Sequence, residues 1–112
     1  MRRLSTLVGL GFLASCGVGH PDQSARAKAL IASHCAACHR VPGVAVATGR
    51  VGPSLEHIGS QHIIAGYFAN SPDMLREWIE HPQKLLPGNA MPDMALSRAQ
   101  AATIADYLDT ME

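Results

Sequence analysis

The chain has 112 residues, nine basic against nine acidic side chains, and only 4% aromatic residues. That length supports one small domain, and the balanced charge lacks the basic face that nucleic-acid binding needs. With so few aromatics, an apolar core is marginal at this size, and a large central cofactor would supply the missing apolar volume.

The N-terminus, MRRLSTLVGLGFLASC, opens on basic Arg2 and Arg3 and continues as an apolar run, Leu4 to Ala14. The run is too short to span a bilayer and has the length of a secretory core segment. Leu13-Ala14-Ser15-Cys16 resembles a bacterial lipobox, in which the cysteine is lipidated and becomes the first mature residue. The expected division is therefore a lipoprotein signal peptide over 1–15, a lipidated tether over 16–21 and one domain over 22–112. Loss of Arg2 and Arg3 leaves seven basic against nine acidic residues, a formal charge of −2. A tether of Gly17 to Pro21 reaches under about 20 Å, so the domain would sit close to its membrane. Gly17 is not the aspartate associated with inner-membrane retention, which leans toward the outer membrane without deciding between the two.

A first helix is expected over 22–38, capped by Asp22 or Ser24, with Ala27, Leu30, Ile31 and His34 on one face. Residues 41–52 are broken by proline and glycine and read as loop. The apolar stretch His62 to Ala69 reads as one or two helical turns. Ser71-Pro72-Asp73 starts a second helix with a capping serine, proline in its first position and an early acid. That helix carries Met74, Leu75, Trp78 and Ile79 on one face and must stop before Pro82. Residues 83–95 form a long apolar loop, a length that is usually functional. The last helix, 97–111, opens on Ser97 and Gln100 in capping-box spacing and carries Ala101, Ile104, Tyr107, Leu108 and Met111 inward. Three main helices with ordered loops and no strands make an all-α domain.

Within the first helix, Ala32 to Arg40 reads ASHCAACHR. Cys35 and Cys38 project from one face, and His39, four residues after Cys35, shares it. Three chemistries want such a pair. A zinc site would enlist His57 and His62, but eighteen residues separate Cys38 from His57 and His39 would have no role. A thioredoxin-like redox pair needs a strand–helix–strand setting that the pattern lacks. Two thioether bonds to a haem, with the imidazole on the iron, use all three residues and suit an exported chain. Iron so held needs a sixth ligand or an open site. Met91, between Pro87-Gly88 and Pro92 in a stiff, turn-rich segment, is the candidate, with Met94 second. His34, His57, His62 and His81 read as surface or supporting groups.

These pieces together resemble the class I c-type cytochromes, a likeness that runs through nearly all of residues 22–112. Cys35-Ala36-Ala37-Cys38-His39 is similar to the attachment motif, and Gly52-Pro53-Ser54-Leu55 to the family's G-P-x-L loop. Leu75-x-x-Trp78-Ile79-x-x-Pro82 and Pro87-Gly88-x-x-Met91-Pro92 resemble the helix and ligand loop on the methionine side. The resemblance implies one covalent haem c on Cys35 and Cys38, with His39 and Met91 as axial ligands. It implies that the Pro53 carbonyl accepts a hydrogen bond from His39, fixing the tautomer and raising ligand basicity. Trp78 takes the place of an aromatic lining the haem. Arg50 has two readings, a propionate partner or a solvated cation. The first and last helices would cross, Ala27 and Ile31 standing where the family usually has glycine and an aromatic.

The function implied is outer-sphere electron transfer and no enzymatic reaction, in a respiratory chain that feeds a terminal oxidase or links membrane redox complexes. Partners would be a quinol–cytochrome c reductase, a dehydrogenase or a terminal oxidase, met at the periplasmic face. The alternative is a haem enzyme or gas-binding sensor whose Met91 dissociates.

Overall fold

The computed structural model describes Gly11 and residues 21–112. The signal segment apart from Gly11, most of the tether and the lipidation site Cys16 lie outside the described residues. No helix among the described residues is long and apolar enough to cross a membrane.

Helix α1 spans Pro21–His34, with Asp22 in its first turn facing the partial positive charge of the helix start. Ala27 and Ile31 are buried on its inner face. The expected helix continued to Cys38; the regular part stops at His34 instead, and residues 35–38 form turns. Those turns stay coupled to the helix, because the Cys35 and Ala36 amides both donate to Ile31 O, at 2.9 and 3.1 Å. His34 turns its own ring back, Nδ1 lying 3.0 Å from Leu30 O, and so satisfies a terminal carbonyl.

The loop that follows is pinned at its base by one antiparallel bridge, Arg40 to Thr48. Val41, Val44 and Ala47 bury their side chains beneath it, so this loop folds over its own apolar content. A 3-10 turn, Ile58–Ser60, is tied to the far end of the chain by Gly59 N donating to Met111 O at 2.7 Å.

Residues 62–69 correct the expectation of helical turns and of a strand-free chain. They form a minimal hairpin, β1 (Ile63–Ile64) with β2 (Phe68–Ala69), paired Ile63 to Ala69 and Ile64 to Phe68. Ala65 (φ 52°) and Gly66 (φ 76°) both adopt the left-handed conformation that reverses the chain. Glycine does so at no steric cost, whereas alanine does so only because its surroundings dictate it. Asn70 extends the ladder through its amide to His62 O, at 2.8 Å. Its side-chain nitrogen donates to Ile58 O and Gln61 O at 2.9 and 2.8 Å. The all-α class stands, with this hairpin as a local insertion.

Helix α2 spans Pro72–Glu80, with Ser71 accepting from the Met74 amide and Pro72 in the first turn, as the sequence pattern requires. It buries Leu75 and Ile79. After His81 the chain does not enter loop at once: Pro82–Leu85 form a short helix α3. Pro82 costs nothing in a first turn, where its missing N–H would have no partner. Helix α4 spans Arg98–Asp109 behind a complete capping box, Ser97 Oγ accepting from Gln100 N and Gln100 Oε1 from Ser97 N. It packs against both α1 and α2. Ala101, Ile104, Ala105 and Leu108 are buried on it, while Tyr107 and Met111 are half-buried. Ile31 of α1 and Ile104 of α4 are fully buried, each contributing about 1.5–3 kcal/mol of apolar burial. The Tyr107 hydroxyl reaches back to donate to Pro42 O, 3.0 Å away.

Candidate functional site

A cavity of about 680 Å³ opens between these elements, lined by residues from His34 to Leu108. That volume falls within the range of about 300–1,000 Å³ for cofactor and small-molecule sites. Most of the wall is apolar. Ile58 and Ile64 come from the 3-10 turn and hairpin, Leu75 and Ile79 from α2, and Ile104 and Leu108 from α4.

At one place in this wall the turn after α1 presents Cys35, Cys38 and His39. The Cys38 and His39 amides both donate to Cys35 O, at 3.1 and 2.9 Å. Both cysteines are free thiols and half-buried. Burial, followed by the nearby Cys38, pushes the Cys35 thiol up to about 11.

The loop 51–55 lies directly against this turn. Gly52 N donates to Cys38 O at 2.7 Å, and Leu55 N to Arg40 O at 2.9 Å. The His39 ring rests on Gly52 so closely that a Cβ there would come within 2.8 Å of Nδ1 and 2.9 Å of Nε2. Only glycine leaves room for the imidazole. His39 Nδ1 is 2.7 Å from Pro53 O. A carbonyl can only accept, so Nδ1 carries the proton and Nε2 holds the ring's lone pair.

Trp78, half-buried, lines the cavity and stacks obliquely on Phe68, ring centres 5.9 Å apart and planes at 41°. Met91 and Met94 both line the cavity and are both half-buried. They differ in their setting: Met94 packs against the buried core cluster and Met91 does not. Arg50 is exposed and stands outside the lining, next to Val51, which belongs to it. Among the described residues it makes no ion pair. His34 lines the cavity, while His57 and His62 are exposed outside it.

Two residues not marked by the sequence pattern hold the Met91 segment. Asn89 donates from Nδ2 to Pro82 O and Leu86 O, at 3.0 and 2.7 Å, and accepts from Met91 N at 2.7 Å. Gln83 donates from Nε2 to Asn89 O and Met91 O, at 2.8 and 2.7 Å. An asparagine after Pro-Gly that bonds its own backbone two residues on is a recognisable turn signal. Gln83 offers no such signal.

A zinc site needs four converging donors; among the described residues no group of three or more His, Cys, Asp or Glu side chains gathers to hold a metal ion. A haem fits what is present: a large apolar cavity, two cysteine side chains in its wall, and an imidazole with an oriented lone pair.

The Cytochrome c family profile matches residues 24–112. Cytochrome c2 of Rhodopila globiformis is 34% identical over 111 residues, covering 86% of this chain and 100% of that protein. Cytochrome c oxidase subunit 2 of Alkalihalophilus pseudofirmus is 41% identical over 58 residues, 52% of this chain. The chain spans only 16% of that relative's length. With the profile running from the first helix to the last residue, the chain belongs to the Cytochrome c family, as a class I c-type cytochrome that carries electrons on a covalently bound haem c.

Proposed function

We propose that the protein exchanges single electrons through one haem c bonded to Cys35 and Cys38, with His39 and Met91 as its axial ligands. It works as an exported lipoprotein, anchored through Cys16 with its domain beginning near residue 22. The observation that carries the ligand assignment is the 2.7 Å contact of His39 Nδ1 with Pro53 O, which leaves Nε2 as the basic nitrogen of a ring wedged against Gly52. When bound, the haem supplies one-electron exchange between its ferrous and ferric states.

The chain's own residues keep that exchange free of side chemistry. Ile64, Leu75, Ile79 and Leu108 exclude water from the interior of the cavity. Pro53 holds His39 in one tautomer and makes it a stronger electron donor. Met91 would supply the second protein ligand to the haem iron, where a thioether would favour the reduced metal. Asn89, the polar side chain next to Met91 in the lining, already gives both amide hydrogens and its oxygen to backbone groups. Its two N–H donors are thus already spent, so it has no hydrogen to give a bound substrate, which favours a carrier over a haem enzyme or gas sensor. Trp78 walls the cavity, and exposed Arg50 is placed to meet a carboxylate at its rim. Likeness to a segment of an oxidase subunit supports a terminal oxidase as one redox partner, with a quinol–cytochrome c reductase or a dehydrogenase as the electron source.

Mass spectrometry of the mature protein tests attachment and anchoring together: one covalent haem and a lipidated N-terminal Cys16 are expected. The visible spectrum tests ligation. A six-coordinate, low-spin haem with a weak methionine–iron band at the red end is expected, and Met91→Ala abolishes the band. A wild-type protein that is high-spin and readily takes carbon monoxide would refute the carrier reading.

A further inference from the structure

Residues 90–96, the segment that carries Met91, make no backbone–backbone hydrogen bond to any described residue. Pro87 and Pro92 contribute no amide hydrogen, and the helix before the segment ends at Leu85. An unsupported segment of this kind costs conformational entropy to hold, yet a ligand must be presented in one place. The peptide groups of Met91 are held by side chains alone: its N–H donates to Asn89 Oδ1, and its carbonyl accepts from Gln83 Nε2, both at 2.7 Å.

Gln83 is the larger part of this arrangement. One amide group donates to Asn89 O as well as Met91 O and accepts from Gly88 N at 3.0 Å. Its own backbone N–H donates to Asp93 Oδ1, 3.1 Å away, beyond the methionine. Residues 88, 89, 91 and 93 are thus all bonded to one residue of α3. That helix is anchored in turn, since Pro82 is fully buried and the Leu85 amide donates to His81 O at 3.2 Å. No other side-chain type fits: glutamate lacks the two donors, lysine lacks the acceptor, and asparagine is one methylene shorter.

We propose that Gln83 is the positioning residue for Met91, its side-chain amide fixing the main chain of the ligand segment and thereby setting how readily Met91 leaves the iron. The inference rests on Met91 being the axial ligand. Gln83 itself touches no metal and acts only through the peptide groups it holds.

The test uses the haem-loaded protein and imidazole, which binds ferric haem by displacing the methionine. Gln83→Glu keeps the acceptor for Gly88 N and loses both donors; Gln83→Leu loses all three bonds. Losing two hydrogen bonds of ordinary net strength raises imidazole affinity about tenfold, with the methionine–iron band bleaching at proportionally lower imidazole. Ser97→Ala, which weakens a cap remote from the segment, serves as the structural control and leaves imidazole affinity unchanged. Wild-type imidazole affinity in both Gln83 variants overturns the inference, as does an equal rise in Ser97→Ala. Met91→Ala in the same series separates the two readings. If that variant keeps the red-end band, the ligand assignment itself fails. If it loses the band while the Gln83 variants bind imidazole like wild type, only the role of Gln83 falls.

Discussion

Replacing Gly52 by alanine probes the histidine side of the site with a single methyl group. Gly52 does not have a positive φ, so the alanine backbone is unstrained and the effect is purely one of contact. Its Cβ would lie 2.8 Å from His39 Nδ1 and 2.9 Å from Nε2, where ordinary contacts begin at 3.4 Å. The closest approach is to His39 Cε1, between the two nitrogens, so the ring and the loop must part by more than the 0.6 Å that separates 2.8 from 3.4 Å. Pro53 follows Gly52 directly, so a ring that withdraws from the new methyl also withdraws from the Pro53 carbonyl. From 2.7 Å, a retreat of at least that size carries the bond beyond the roughly 3.2 Å limit of a good N–H···O contact. Overpacking of this kind costs about 1–3 kcal/mol, and the lost hydrogen bond about 0.5–1.5 kcal/mol more. Denaturant unfolding of the haem-loaded variant should show a loss of about 2–4 kcal/mol. The reduction potential should rise, because an imidazole without its Pro53 partner is less basic and supports the ferric state less well. Each 1 kcal/mol of that difference is about 40 mV for one electron. A Gly52→Ala protein with wild-type unfolding free energy and wild-type potential would refute both the packing argument and the role given to Pro53.

Tyr107→Phe removes the 3.0 Å bond to Pro42 O while keeping the ring, and should cost about 1 kcal/mol in unfolding free energy with the visible spectrum unchanged. Ser97→Ala breaks the capping box at the start of α4; a loss of about 1 kcal/mol is expected in the same assay, with the spectrum again unaltered.

The helix starts were legible because their chemistry is local. Ser71 and Ser97 announce caps by residue type and spacing, and the structure uses both as such. Cys35, Cys38, His39 and Met91 stand out in the sequence because few chemistries want those groups in that order, and the structure brings all four to the lining of one cavity. The hairpin was not legible, since its reversal depends on a left-handed alanine at position 65, a choice that residue type disfavours and tertiary packing imposes. Gln83 was hidden for another reason. Its partners are the carbonyls of residues 89 and 91 and the amide of residue 88, and every residue type has a carbonyl. Arg50 was legible only as one of two readings, a propionate partner or a solvated cation; it is exposed beside Val51 of the lining, a position compatible with either.

The cavity wall is drawn from very unequal distances along the chain. The Cys35–His39 turn is held by bonds to Ile31 and Cys35 carbonyls, contacts that close only short loops and form early and cheaply in conformational entropy. Ile104 and Leu108, which close the same cavity, come from the far end of the sequence, and the tie of Met111 to Gly59 spans half the chain. Contacts of that separation are slow to assemble. The wall of one cavity therefore joins a turn that closes at little cost in chain entropy to helices whose docking must close loops of half the sequence.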